Sequence, residues 1–192
     1  MTAHLAILLP GRDYGALGPA LRLPRLAVEE VGAQTVEVDY AGAPPPAHDR
    51  EAWEELRRRV ARQIRSYVGD AAPQRVTFVA KSLGTMLLAE LPDDVPLPPS
   101  VDAIWLTPIF GQPSVRAGAI ARGWPSLLVA GEADELHVPA HHQAVADALG
   151  ATSLVLPRAD HLLEVPGDVR ATVAGFRTLT DAALDFARVG PC

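Results

Sequence analysis

Ser82 is placed where a hydroxyl could act as a nucleophile. It stands in Ala80-Lys81-Ser82-Leu83-Gly84, between a run of β-formers, Val76-Thr77-Phe78-Val79, and a run of helix formers, Met86-Leu87-Leu88-Ala89-Glu90-Leu91. No loop separates the two runs. A strand that becomes a helix within so few residues turns sharply, and a serine at the apex points its hydroxyl away from both elements. Small residues two before and two after it, Ala80 and Gly84, let strand and helix approach closely. A serine hydroxyl is a weak nucleophile at neutral pH, so it needs a base, and the base needs an orienting partner. Histidine is the usual base because its charge changes near neutral pH. Of the six histidines, His161 lies in Arg158-Ala159-Asp160-His161, just after a late strand-like run. Carboxylates follow another such run, in Gly131-Glu132-Ala133-Asp134-Glu135.

Other groups invite rival chemistries. Lys81 adjoins the serine, and a Ser–Lys dyad is an alternative base arrangement. Successive residues leaving a strand point to opposite sides, so Lys81 is expected to aim away from the hydroxyl and to steady the turn. His137 and His141 lie four residues apart at a helix start, with His142 beside them. No glutamate sits between them as in H-E-x-x-H and no third ligand is evident, so no metal is expected; one of these histidines could instead line the mouth of a pocket. No G-x-G-x-x-G follows a strand and no phosphate loop is present, so no nucleotide cofactor is expected.

These residues need a scaffold, and the pattern of the chain supplies one. Residues 3–9, AHLAILL, form a continuous apolar run, as suits a strand buried on both faces of a parallel sheet. Pro10–Gly15 is a turn. Residues 17–31 read as a helix with a broken start, its regular part beginning near Pro24 because prolines stand at 19 and 24. Residues 34–39 alternate as a second strand, 41–47 are loop, and 49–68 form a long amphipathic helix whose arginines make a solvated face. The third strand (75–80) leads through Ser82 into a helix over 83–91. Residues 92–100 are proline-rich loop, 101–106 a fourth strand, 112–122 a weak helix, 126–131 a fifth strand, 138–148 a helix, 152–156 a sixth strand, and 168–187 a closing helix. Strands alternating with helices imply crossovers, and so a three-layer α/β sandwich: a mostly parallel six-stranded sheet with helices on both faces. Sites in such sheets lie outside the carboxyl ends of the strands. Ser82, the carboxylates of 132–135 and His161 all fall there.

The bulk properties bound the rest. A chain of 192 residues fits one domain spanning 1–192. The net charge of −6 is spread without a basic patch, which disfavours nucleic acid as a partner. The apolar run Leu5–Leu9 is too short to span a membrane and lacks the basic start of a signal peptide. The single cysteine, Cys192, leaves no disulfide framework. A cytoplasmic protein with no membrane partner is the expectation.

The strand, the AKSLG turn and its helix resemble the nucleophile elbow of the α/β-hydrolases, specifically the small members without a cap domain, serine esterases and dienelactone-hydrolase-like proteins. The segment ADHLLEVPGD resembles their histidine segment. Gly131-x-x-Asp134, with Pro139 shortly after, resembles their acid turn and favours Asp134 over Glu132. The resemblance implies an acyl-enzyme mechanism without a cofactor: Ser82 attacks, His161 moves the proton, and Asp134 orients it. It also implies an oxyanion hole made by the backbone N–H of Leu83 and of Arg12. The latter lies in Pro10-Gly11-Arg12, where the family usually has His-Gly-x. The Arg12 side chain would receive an anionic substrate group, or else be a surface arginine or one paired with Asp13. Caps in that family are inserted after the fourth strand, where Leu106 to Ser126 leaves room for one short helix. A shallow, open pocket follows, lined by Gly11, Thr107, Pro108, Ile109 and Phe110, with Trp105 or Trp124 as an apolar wall. The expected substrate is a small or solvent-accessible carboxylic ester or thioester. Two alternatives use the same scaffold: an acyltransferase or perhydrolase with the same three side chains, and a non-catalytic binding protein.

Overall fold

The computed structural model describes residues 3–46 and 48–190; Ala47, at the end of the expected 41–47 loop, and Cys192 lie outside them. Six strands form one sheet in the order β2-β1-β3-β4-β5-β6. They are β1 (His4–Leu9), β2 (Gln34–Glu37), β3 (Arg75–Lys81), β4 (Ser100–Leu106), β5 (Ser126–Gly131) and β6 (Thr152–Leu156). All five pairings are parallel. Each crossover carries a helix: α1 (Pro19–Glu30), α2 (Arg50–Ala71), α3 (Leu83–Ala89), α4 (Pro113–Arg122) and α5 (Pro139–Leu149), with α6 (Val169–Val189) after the last strand.

The central strands are buried on both faces, which explains their continuous apolar runs. Their side chains alternate between two cores. Leu5, Ile7 and Leu9 of β1, Val76 and Phe78 of β3, and Trp105 of β4 meet α2, α3, α4 and α5. Ala6 and Leu8, Val79, Ile104 and Leu106 meet α1 and α6. The layers are therefore helix, sheet, helix.

Helix α1 departs from its expected broken start. It begins at Pro19, whose fixed φ suits the first helical position, and Pro24 lies inside it with its ring buried. An interior proline costs about 3 kcal/mol in an isolated helix. Here tertiary packing of Ala20, Leu21, Pro24, Ala27 and Val28 against the sheet offsets that cost. In α2, Leu56, Val60, Ala61, Ile64 and Val68 face the core. The arginines on its other face pair with Glu54, Glu55, Glu90 and Asp94. Between β4 and β5 stands only α4, so nothing caps the sheet edge there. No helix among the described residues is long and apolar enough to cross a membrane.

From β1 the chain winds outward to β2, then returns past β1 to β3 and winds the other way. The strand order reverses between β1 and β3, and clefts for ligands form at such switch points. Leu9 pairs with Ala80, so Gly11 and Ser82, each two residues further on, leave the sheet side by side.

Candidate active site

Ser82 sits at the apex between β3 and α3 with φ 49° and ψ −109°. A non-glycine residue at positive φ is strained, and the strain is maintained by packing. A Cβ on Gly84 would lie 2.7 Å from the carbonyl carbon of Leu9 and 2.8 Å from its Cβ. Only glycine at 84 lets α3 start so close to β1. The Ser82 N–H donates to the Leu106 carbonyl at 2.9 Å, and the Thr85 hydroxyl donates back to the Ser82 carbonyl at 2.6 Å.

The histidine arrives on the loop after β6. His161 Nε2 lies 2.8 Å from Ser82 Oγ, and its Nδ1 lies 2.8 Å from Asp134 Oδ2. Asp134 is buried, and its other carboxylate oxygen accepts the Leu136 N–H at 2.9 Å. Burial pushes this carboxyl up. The hydrogen bonds from His161 and Leu136, and the charges of His161 and Lys81, outweigh burial and hold it below the usual carboxylate range. An ionised Asp134 fixes the imidazole with its Nδ1–H toward the acid and its Nε2 lone pair toward the serine. Glu132, the rival acid, accepts the Arg158 N–H instead. Asp160 is a turn residue, accepting the N–H groups of Leu162 and Glu164.

Positive φ also occurs at Asp13, Ala41, Thr107, Arg158 and Leu163, all in loops at the carboxyl edge of the sheet. For a β-branched residue such as Thr107, at φ 43°, this is a genuine outlier. Apart from Ala72, the left-handed cap after α2, the non-glycine residues at positive φ among the described residues gather at this edge, and such strain is a mark of functional sites.

The expected oxyanion donors flank the serine. A Cβ on Gly11 would lie 3.5 Å from Ser82 Cβ, so the loop carrying the Arg12 N–H runs against the elbow. Leu83 opens α3. Among the described residues no backbone or side-chain acceptor takes either N–H. Tyr40, which sequence reasoning did not single out, braces this loop: its buried hydroxyl donates to the Pro10 carbonyl at 2.8 Å. Burial raises its pKa above the usual phenol range. Tyr14, also unforeseen, accepts the Ala20 N–H on its hydroxyl and so ties the loop to the start of α1. Neither tyrosine lies in a motif, and both act across the fold. The Arg12 side chain is exposed and forms no ion pair among the described residues, with Asp13 or otherwise.

Beside Gly11 opens a cleft of about 630 Å³ between the loops after β1 and β2. Its lining includes Gly11, Tyr14, Tyr40, Asp13, Glu37 and Asp39. Ser82 stands at its edge, not within it.

Several expected pocket residues lie elsewhere. Phe110 is 1% exposed and packs on Trp105 and His142, in the core and not on an open wall. Trp105 is fully buried with its Nε1–H donated to Ser126. Trp124 precedes β5, so it stands at the amino edge of the sheet, stacked on Phe78. Pro108 is buried and Ile109 half-buried near the elbow, while Thr107 turns its hydroxyl inward to Lys81. Lys81 makes no bond to Ser82; it donates to Thr107 Oγ1 at 3.0 Å and to the His161 carbonyl at 2.8 Å. The three clustered histidines have separate surroundings. His142 bonds Ser153, His141 lies against Arg116, and His137 meets the His142 ring edge-on. No group of three or more potential ligands gathers to hold a metal among the described residues.

No protein-family model matches the sequence, and no curated protein matches it by sequence. Solved structures do match. An α/β serine hydrolase homologue from Coxiella burnetii superimposes with a TM-score of 0.68 at 14% identity, over 96% of this chain and 85% of the other. A serine hydrolase without a lid from Xanthomonas campestris gives 0.65 at 17% identity, over 100% and 84%. An esterase from Pyrococcus furiosus gives 0.68 at 12% identity, over 98% and 84%. Identities this low establish a shared architecture. This chain has the α/β-hydrolase fold in its form without a lid.

Proposed function

We propose that this protein is a serine hydrolase that cleaves a small or solvent-accessible carboxylic ester or thioester through an acyl-enzyme on Ser82. The observation that carries the reading is the continuous hydrogen-bonded chain Ser82–His161–Asp134, with both links at 2.8 Å, built on a serine whose backbone is held at positive φ.

The steps follow from that geometry. His161 Nε2 accepts the hydroxyl proton as Ser82 Oγ attacks the acyl carbon. Asp134 stabilises the imidazolium that forms. The tetrahedral oxyanion takes the N–H groups of Leu83 and Arg12, which have no other acceptor among the described residues and suit charge that appears only in the transition state. His161 then returns its proton to the leaving oxygen or sulfur. Water, activated by the same imidazole, attacks the acyl carbon and frees Ser82. The cleft beside Gly11 takes one side of the ester, and the uncapped edge leaves the other side open to solvent. The esterase and serine hydrolase names of the matching structures support the same reading.

A fluorophosphonate probe tests it, together with a panel of chromogenic esters of graded acyl length. Labelling of the wild type that disappears in Ser82→Ala and falls steeply in His161→Ala is the expected result. Folded wild-type protein that neither labels nor hydrolyses any ester in the panel refutes the reading and favours a non-catalytic binder.

A further inference from the structure

We propose that Lys81 is a positioning residue of this site: its side chain ties the main chain of His161 to the elbow, to Thr107 and to Tyr14, and so holds the imidazole at bonding distance from Ser82. The proposal rests on the serine-hydrolase reading above.

Lys81 is one of the largest fully buried side chains, 1% exposed. It leaves β3 on the α1 and α6 side, opposite Ala80, and runs under the site. Its ammonium has three donors, and each finds a partner. One reaches Thr107 Oγ1 at 3.0 Å, and one reaches the His161 carbonyl at 2.8 Å. The third meets the face of the Tyr14 ring, 4.6 Å from its centroid. The loops after β1, β3, β4 and β6 thus meet at one nitrogen. Those loops carry the oxyanion donor, the nucleophile and the base.

The link to His161 matters most. The loop over 157–168 has no regular structure, and its internal bonds run through Asp160, Glu164 and Leu163. Among the described residues, the only side chain that fixes the His161 carbonyl is that of Lys81, which is bonded through its own peptide to Ser82. Both ends of the Ser–His hydrogen bond are therefore pinned to the same element. A shift of the His161 peptide carries the imidazole with it, and a misplacement of about 1 Å costs roughly 10²-fold in rate.

The residue type agrees. The chain has sixteen arginines and this one lysine. A planar guanidinium aims its donors in a flat fork, whereas an ammonium directs three tetrahedrally, as three partners on three sides require. Asp134 and Asp160 are the acids that face it, and their charges favour the ammonium. Burial outweighs them and lowers Lys81 to about 8.

The test compares wild type with Lys81→Met, Lys81→Arg, Lys81→Gln and Thr107→Val. The readouts are kcat and KM on a chromogenic ester, the fluorophosphonate labelling rate and the melting temperature. Lys81→Met should lower kcat about 10²-fold with KM changed by less than about 3-fold, and labelling should slow in parallel. Lys81→Gln, which keeps N–H donors, should recover part of that loss, and Lys81→Arg should not. Wild-type kcat should decline as pH rises past about 8, and Lys81→Met should lack that limb. If Lys81→Met does not fold, Thr107→Val, which removes one anchor, should still lower kcat several-fold. Turnover per folded Lys81→Met or Thr107→Val molecule within 2-fold of wild type overturns the proposal. Failure of the wild type to label overturns the hydrolase reading instead. Positioning is then judged from the nuclear magnetic resonance signal of the His161 Nδ1–H bonded to Asp134. Loss of that signal in Lys81→Met supports the proposal, and its persistence overturns it.

Discussion

Replacing Gly84 with alanine should damage this protein twice, once in stability and once in chemistry. The added methyl would sit 2.7 Å from the Leu9 carbonyl carbon, where ordinary contacts begin at 3.4 Å. Helix α3 and strand β1 must therefore separate by roughly 0.7 Å or more. Both partners are backbone, so no rotamer change relieves the clash. Overpacking of this kind costs about 3 kcal/mol at the upper end. Alanine returns about 1 kcal/mol of helix propensity, leaving a net loss of about 2 kcal/mol. The same movement draws Leu83, at the start of α3, away from the loop that follows Leu9 and carries Arg12. Activity per folded molecule should fall toward 10²-fold, the usual consequence of misplacement by about 1 Å. Gly118→Ala supplies the control. Its methyl would lie 2.8 Å from the carbonyl carbon of Ala89, an equal clash at the far end of α3, about 10 Å from Ser82 along the helix. It should cost similar stability and leave kcat/KM nearly intact. Urea unfolding and ester kinetics on both variants decide the matter. If Gly84→Ala retains full activity per folded molecule, or if Gly118→Ala loses as much, the coupling between helix approach and oxyanion geometry is refuted.

Three further outcomes are expected. Asp134→Asn should lower kcat about 10⁴-fold, while Glu132→Gln, at the carboxylate that accepts the Arg158 N–H, should stay near wild type; steady-state kinetics distinguish the two acids. Acidification should destabilise the fold, because burial holds His4 and His142 at about 4, below the usual imidazole value of about 6.5. The unfolded chain binds the protons more readily, so this stability is complete above pH 6.5 and is lost as pH falls toward 4, by up to roughly 3 kcal/mol for each histidine. Urea midpoints at pH 7 and 4.5 measure the loss, which a His4→Gln, His142→Gln double variant should largely abolish. The cleft beside Gly11 carries Asp13, Glu37 and Asp39, so carboxylate-bearing esters should be poor substrates. If Arg12 receives their charge, Arg12→Ala should depress them a further few-fold relative to neutral esters, the size of an exposed ion pair; equal effects on both classes would remove that role.

Much of this molecule was legible in its sequence because the relevant rules are local. Continuous apolar runs marked the double-buried strands, and a β-run meeting a helical run at Ser82 marked the sharp turn. The short Leu106–Ser126 interval left no room for a cap. Alternation along β3 put Lys81 on the side away from the hydroxyl. A local rule also misled: prolines at 19 and 24 suggested a broken helix, but burial against the sheet holds α1 intact through Pro24.

The sequence by itself determined the order of elements, the edge of the sheet where chemistry could gather and a short list of candidates there, since periodicity and strand direction are written in neighbouring residues. Only the tertiary structure brought Asp134, and not Glu132, to the His161 ring, sent Phe110 and Trp105 to the core, and brought Lys81 to the His161 carbonyl. Those outcomes depend on partners tens of residues apart, whose meeting is set by sheet register and loop path. No window of sequence contains both ends of such a contact.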